Sequence, residues 1–166
     1  LPATVEDDDA NILSYCTGLT SATLASGIKT VPYGLFSGCK NLKTVNLPAS
    51  IEVIERYAFY NCSAFETLTM PQNLTTIRMS AFSRSGLKNI TWNSAIRTIE
   101  YDAFSQCPFT EITLPGCITE LPNGLFSGCP NLTTVTLAEG FTEVPGSFFE
   151  GCQKLTTVNL PTTITS

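Results

Sequence analysis

Histidine is absent from the 166-residue sequence, and only 14% of the residues are charged. An ordinary soluble domain has roughly 25% charged residues. Without histidine, Ser-His-Asp and Cys-His catalysis and every histidine-ligated metal site are excluded. The formal net charge of -5 argues against a nucleic-acid partner, because phosphate binding needs a basic face, and no apolar run approaches the length of a membrane span. Apolar residues nevertheless make up 43% of the chain, which is enough to form a core.

A repeat of 22 or 23 residues runs through the chain. Six of the seven cysteines and one serine mark it, at Cys16, Cys39, Cys62, Ser85, Cys107, Cys129 and Cys152. From Cys39 onward a phenylalanine stands three residues before each of these positions. The unit reads F-x-x-C-x-x-L-x-x-V-x-L-P-x-x-I-x-x-I. Because independent columns stay in register, the sequence predicts a repeat solenoid, with one structural unit per coil.

Each unit predicts one strand and a return path. In segments such as LKTVNL (42–47) and LTTVTL (132–137), the last four residues alternate apolar and polar, which is typical of a half-buried strand. Stacked strands are expected to form a parallel sheet whose inward valine and leucine columns build a continuous core. The Ile-x-x-Ile segment begins the return leg, with a possible second short strand. Segments such as YGLFSGC (33–39) suit either a turn or a short helical piece.

The motifs resemble the BspA-like leucine-rich repeats of bacterial surface and secreted proteins. The A-F-x-x-C core stands at AFYNC (58–62), and the L-x-x-V-x-L-P strand at LKTVNLP (42–48). The resemblance implies a right-handed, mainly β leucine-rich-repeat superhelix with parallel strands and short turns or helical pieces. We expect residues 1–10 to be an acidic leader or partial cap. Residues 11–166 are expected to form a single solenoid of about seven coils, truncated at its C-terminal end.

The cysteines predict a ladder of buried thiols rather than a disulfide framework. Equivalent residues in neighbouring coils are about 4.8 Å apart and point the same way, whereas disulfide Cβ atoms lie about 3.8 Å apart. Each thiol is expected to pack as a small apolar group and to donate weakly to a carbonyl of the neighbouring turn. Cys117 lies outside the series and is predicted to be the most exposed or reactive thiol. No C-x-x-C motif occurs, so no metal site is expected.

The outward positions of the strands are the candidate binding residues. One interpretation is that threonine has high β propensity and that threonine pairs stabilise a sheet. The alternative is a polar, hydroxyl-rich face presented to a partner. The candidates are Thr44, Asn46, Thr67, Thr69, Asn89, Thr91, Glu111, Thr113, Thr134, Thr136, Thr157 and Asn159. Trp92 occupies a leucine column and is expected to be a bulky core residue, with a site as the alternative.

No catalytic constellation is present, so we expect a protein that is not an enzyme and needs no cofactor. The leading hypothesis is a surface or secreted adhesion module that binds a host-matrix or cell-surface protein. A glycan-binding module and a structural spacer without a ligand are the alternatives. The adhesive role and the extracellular location are what the resemblance implies. No capping coil follows residue 161, so self-association through an uncapped end is a further expectation.

Overall fold

The computed structural model describes residues 11–165, so the predicted acidic leader, residues 1–10, lies outside the described residues. Within residues 11–165 there are strands and turns but no helix. The strands are β1 (Ser21–Thr23), β2 (Thr30–Val31), β3 (Thr44–Asn46), β4 (Val53–Ile54), β5 (Thr67–Thr69), β6 (Thr76–Ile77), β7 (Asn89–Thr91), β8 (Thr98–Ile99), β9 (Glu111–Leu114), β10 (Thr134–Leu137) and β11 (Thr157–Asn159).

Each coil consists of a front strand, a back segment and a turn. The front strands are β1, β3, β5, β7, β9, β10 and β11, and the back strands are β2, β4, β6 and β8. Every pairing is parallel and joins equivalent residues of successive coils. The predicted parallel solenoid is therefore confirmed, including the short back strand. The F-x-x-C segments that allowed either a turn or a helical piece are turns.

The turns repeat a backbone conformation that favours glycine. Two residues, four positions apart, have positive φ in most turns, as at Gly34 and Gly38 or at Gly124 and Gly128. Other turns place Tyr57 and Asn61 at the equivalent positions, with φ near 58°. This conformation directs alternate N–H groups of one turn at the carbonyl groups of the next, as in the 2.9 Å bond from Phe36 to Ala58. The turns thus form a continuous hydrogen-bonded stack.

The core is a column of phenylalanine rings flanked by aliphatic and cysteine columns. Phe59 stacks on Phe82 with ring centroids 5.0 Å apart, and Phe82 stacks on Phe104 at 5.6 Å. Offset stacks of this kind contribute about 0.5–1.5 kcal/mol beyond their buried area. Cys62 and Cys107 are completely buried beside these rings. No coil closes a core alone, so stability depends on contacts between neighbouring coils.

The front sheet is interrupted, whereas the repeat predicts a single parallel sheet. It consists of three separate sheets, β1–β3, β5–β7 and β9–β10–β11. The back sheet instead runs unbroken through β2, β4, β6 and β8. The first interruption, between β3 and β5, faces the paired back strands β4 and β6. Coils that are tightly joined at the back therefore open at the front.

Candidate functional site

The twelve candidate residues all lie on the solvent-facing side of the front strands. Ten are exposed, and Thr134 and Thr136 are half-buried. The interruptions divide them into three groups, which are carried by β3, by β5 and β7, and by β9, β10 and β11. The candidates are thus brought to one face of the molecule, but they do not form a single uninterrupted surface.

Side-chain contacts on this front face are few among the described residues. Asn159 Nδ2 donates to Thr136 Oγ1 at 3.0 Å. Lys88 Nζ donates to Glu66 at 2.7 Å, in a pair whose side chains are about half exposed. Such exposed ion pairs contribute little to stability, about 0–1 kcal/mol. Most polar groups of the front face are therefore free to contact a partner.

The first interruption forms a cleft of about 380 Å³ between β3 and β5. Most Cα pairs between these strands are more than 8 Å apart, whereas paired strands are separated by about 4.8 Å. Val45 and Leu47, which point inward from β3, are only half-buried, while Leu68 and Met70 on the other side are buried. We call this opening cleft 1. Its floor is apolar. Thr44 on the β3 rim and Thr67 on the β5 rim are among the predicted binding residues.

A second cleft of about 370 Å³ separates β7 from β9. Most Cα pairs between these strands are again more than 8 Å apart. Ile90 and Trp92 are half-buried at its floor, and Lys88 and Glu111 lie at its rim. Trp92 packs edge-on against Phe104 with ring centroids 6.2 Å apart. The expected core role of Trp92 is therefore only partly met, because this side chain also lines the opening, which we call cleft 2.

At both clefts, phenylalanine replaces leucine in the same column of the repeat. The column that holds Leu42, Leu87 and Leu132 holds Phe65 two residues before β5 and Phe109 two residues before β9. Phe65 packs beside two stacked rings of the core, with its centroid 5.0 Å from that of Phe59 and 6.3 Å from that of Phe82. A phenylalanine is bulkier than a leucine, and close-packed interiors respond to small volume changes. We attribute each interruption to this bulkier side chain, which separates its strand from the preceding one.

An aromatic surface on the turns is a feature that the sequence reasoning missed. All five tyrosines of the chain lie in turns. Tyr57 contacts Tyr33 and Tyr60 edge-on, with centroids 5.8 and 5.7 Å away, and the Arg84 guanidinium carbon lies 5.9 Å from the Tyr60 ring centroid. Tyrosine and arginine are enriched at protein interfaces. The signal was present in the sequence as tyrosines outside every core column.

The thiol ladder is confirmed for Cys39, Cys62, Cys107 and Cys129, which are buried, whereas Cys152 is half-buried and Cys16, the first member of the series, is exposed. All seven cysteines lie within the described residues, and all are free thiols. The Sγ atoms of Cys39, Cys62, Cys107, Cys129 and Cys152 each donate to a main-chain carbonyl of the preceding coil, at 3.0 to 3.4 Å. Burial raises the pKa of Cys62 and of Cys107 to about 12.

The prediction that Cys117 is the most exposed thiol is wrong. Cys117 is half-buried against the core, and Cys16 is the exposed thiol. Cys16 belongs to the first described turn, which has no preceding described coil packed against it. Among residues 11–165, no group of three or more potential ligands is arranged to hold a metal ion. No helix in that range is long and apolar enough to cross a membrane.

The period, the parallel strands and the buried cysteine ladder define a repeat-solenoid protein. The family model for the BspA type leucine rich repeat region matches residues 1–66 and 52–166, with six copies. The chain therefore belongs to this family of bacterial leucine-rich-repeat proteins. None of the curated proteins compared with the chain matches it.

Solved structures share the fold. A leucine-rich repeat protein from Bacteroides ovatus is 27% identical, with a TM-score of 0.87, over 93% of this chain and 41% of that protein. The Treponema pallidum leucine rich repeat protein is 24% identical, with a TM-score of 0.57, over 90% of this chain and 60% of that one. The pneumococcal vaccine antigen PcpA is 20% identical, with a TM-score of 0.57, over 88% of this chain and 40% of that one. The chain thus spans between 40% and 60% of the length of these proteins.

Proposed function

We propose that the chain is a non-enzymatic binding module of a cell-surface or secreted bacterial protein, which attaches to another protein through its front face. The observation that carries the proposal is the exposed row of hydroxyl, amide and carboxylate groups on the front strands, most of which have no partner within the described chain. The row is held by a solenoid with a rigid core, so its groups are preorganised for a partner.

Family membership supports this role and the extracellular location. BspA type repeats and the pneumococcal antigen PcpA, which is described as a vaccine antigen, associate the fold with surface proteins. Fold alone does not determine function, so adhesion to host matrix or cell-surface proteins is a proposal for this chain.

The test is a binding screen with immobilised protein against extracellular-matrix proteins. The triple variant Thr44→Lys, Thr67→Lys, Thr134→Lys places bulky charges on the three parts of the front face. The matched control is Thr98→Lys with Thr142→Lys, which makes the same change at exposed positions of the back segments. We expect the front variant to lose most binding and the back control to keep it. Equal binding by both would contradict the front face, and no binding by the wild type would favour a spacer.

A further inference from the structure

We infer that clefts 1 and 2 are insertion sites for an extended polypeptide segment of the partner, which pairs with the front strands on both sides. This inference rests on the proposed function, because it specifies how a protein partner is held. In the two clefts the partner segment is recognised through its main chain rather than through side-chain contact with the threonines of the front face.

The rims of cleft 1 lack the two bonds that close the β1–β3 and β5–β7 ladders at their ends. In the β5–β7 pair, Lys88 N–H donates to Glu66 C=O at 2.9 Å and Met70 N–H donates to Thr91 C=O at 3.0 Å. In the described chain, the equivalent bonds from Glu66 N–H to Lys43 C=O and from Leu47 N–H to Thr69 C=O are not formed. Each rim of cleft 1 therefore offers a donor and an acceptor.

Cleft 2 repeats this pattern. The equivalent bonds from Thr110 N–H to Lys88 C=O and from Trp92 N–H to Thr113 C=O are also missing between the described strands. The coils remain joined elsewhere, since Thr119 N–H donates to Arg97 C=O at 2.9 Å on the back and Phe104 N–H donates to Leu125 C=O at 3.2 Å in the turns. The opening is thus local to the front, and its rims are held in place by the rest of the coil.

The rims of each cleft already lie farther apart than the strands of a paired ladder. Most Cα pairs across each opening are more than 8 Å apart. A strand inserted between two others requires them to be about 9.6 Å apart, twice the usual spacing, and this is the width that insertion must produce at the front of the coils. An extended segment alternates its side chains between the floor and the solvent. The half-buried Val45 and Leu47 of cleft 1, and Ile90 and Trp92 of cleft 2, would receive the inward side chains.

These features specify the chemistry of the partner segment. Its strand should run parallel to the front strands, because both rims do. One or two inward residues should be aliphatic, to cover the apolar floor. The outward residues should be polar and should complement the rim charges: Lys88 is already paired with Glu66, which leaves Lys43 at cleft 1 and Glu111 at cleft 2. Strand addition of this type takes its affinity from main-chain bonds and its specificity from alternate side chains.

The probe is a capped peptide with the sequence of residues 132–137, LTTVTL, followed by two lysines for solubility. Most of this sequence forms β10 and already pairs in parallel with β9 in the fold. We expect the peptide to slow hydrogen exchange of the amides of Leu47, Glu66, Trp92 and Thr110. Trp92 is the only tryptophan and lies in the floor of cleft 2, so its emission should shift to the blue as the peptide covers it.

Two controls isolate the mechanism. The same peptide with alternate amides N-methylated keeps its side chains but loses half of its donors, and it should leave exchange and emission unchanged. The variant Phe65→Leu, Phe109→Leu should close both ladders and lose at least tenfold in peptide affinity. No protection of the four amides by the unmodified peptide at millimolar concentration would overturn the inference. Protection confined to the edges of β1 and β11 would do the same, because it would show ordinary edge addition.

The outcome is separable from that of the proposed function. A matrix protein that binds the wild type and the Phe65→Leu, Phe109→Leu variant equally, but not the front-face lysine variant, would contradict insertion and support the proposed function. Peptide insertion without any matrix-protein binding would contradict adhesion to the matrix and leave the clefts as peptide sites.

Discussion

The thiol of Cys62 donates a hydrogen bond to the main-chain carbonyl of Phe36 in the preceding coil, at 3.0 Å. Both residues are completely buried. The contact links two columns of the core and is repeated at Cys107 and Phe82, at 3.1 Å. The cysteine column therefore fills space as an apolar group does and also provides one weak donor to each coil interface.

The buried thiols predict a loss of stability in alkali. Burial raises the pKa of Cys62 and of Cys107 to about 12 from an ordinary 9.0, so only the unfolded chain releases these protons between those values. This stabilisation is complete below pH 9.0 and is lost as the pH rises towards 12. Each thiol should lower the free energy of unfolding by about 1.4 kcal/mol per pH unit in that window.

The measurement is chemical unfolding at pH 7.5, 9 and 10.5, followed by circular dichroism. The double variant Cys62→Ala, Cys107→Ala should be less stable at neutral pH and should show a smaller loss in alkali. Cys16→Ala is the control, because this thiol is exposed. An alkaline loss as steep in the double variant as in the wild type would contradict the assignment to these thiols.

The repeat made the solenoid predictable because each column has the same role in every coil. The spacing of Phe59 and Cys62 is enough to predict a buried turn, and the alternation of Thr67, Leu68 and Thr69 predicts which side of the strand faces out. Both predictions hold for the buried Leu68 and the exposed threonines. Local sequence and neighbouring coils point to the same structure, as expected of a foldable sequence.

The clefts could not be predicted in the same way. Phe65 and Leu42 both count as apolar residues of one column, and a pattern of apolar and polar positions does not distinguish them. The cause to which we attribute the interruption, the volume of the ring and its stacking on Phe59, is a property of the packed state. The exposure of Cys16 likewise depends on whether a preceding coil covers its turn, and the cysteine spacing carries no information about that.

If the bulky ring opens the sheet, Leu132→Phe should open it at a new place. Leu132 is completely buried before β10, in the column of Phe65 and Phe109. The amides of Thr133 and Ala138, which now donate to Thr110 and Leu114 at 2.8 and 3.0 Å, should exchange faster. Overpacking of this kind costs about 1–3 kcal/mol.

Hydrogen exchange measured by NMR provides the test, with two companion variants. Leu132→Met has a similar volume to leucine and should leave both amides protected. Phe109→Leu should act in the opposite direction and slow exchange at Thr110 and Trp92. Unchanged exchange in Leu132→Phe, in a protein that remains folded, would show that ring volume is not the cause of the clefts.

The carboxylate of Glu100, on the back of the solenoid, predicts that the free energy of unfolding falls at acidic pH. Burial acts to raise the pKa of Glu100, but hydrogen bonds from Arg78 Nη1 at 2.7 Å and from the Met79 amide at 2.8 Å outweigh it and hold this pKa below its ordinary value of 4.5. The stabilisation is present above pH 4.5 and is lost as the pH falls through the lower, folded value. Glu100→Gln should cost about 1 kcal/mol at pH 7, since the pair is partly screened by solvent.

Urea unfolding at pH 7 and at pH 3 distinguishes this contribution from general acid sensitivity. The difference between Glu100→Gln and the wild type should shrink at pH 3. Glu52→Gln is the matched control, because the Lys29–Glu52 pair at 2.8 Å is exposed and should matter less. A cost for Glu100→Gln that stays constant between the two pH values would mean that the lost charge is not responsible.

Two coils approach each other closely at Gly86. A Cβ atom at Gly86 would collide with the carbonyl oxygen of Ser63 and lie 2.9 Å from its carbonyl carbon. The main chain at Gly86 cannot easily move aside, because Gly86 N–H donates to Cys62 C=O at 3.0 Å. Gly86→Ala should therefore lower the free energy of unfolding by about 1–3 kcal/mol, as overpacking does.

At Gly18 no atom lies within 4 Å of the added Cβ, so the control variant Gly18→Ala should be neutral or slightly stabilising, because alanine restricts the unfolded chain. Urea midpoints compared at equal m values decide between them, and equal midpoints for the two variants would show that the coils can separate at Ser63 without cost.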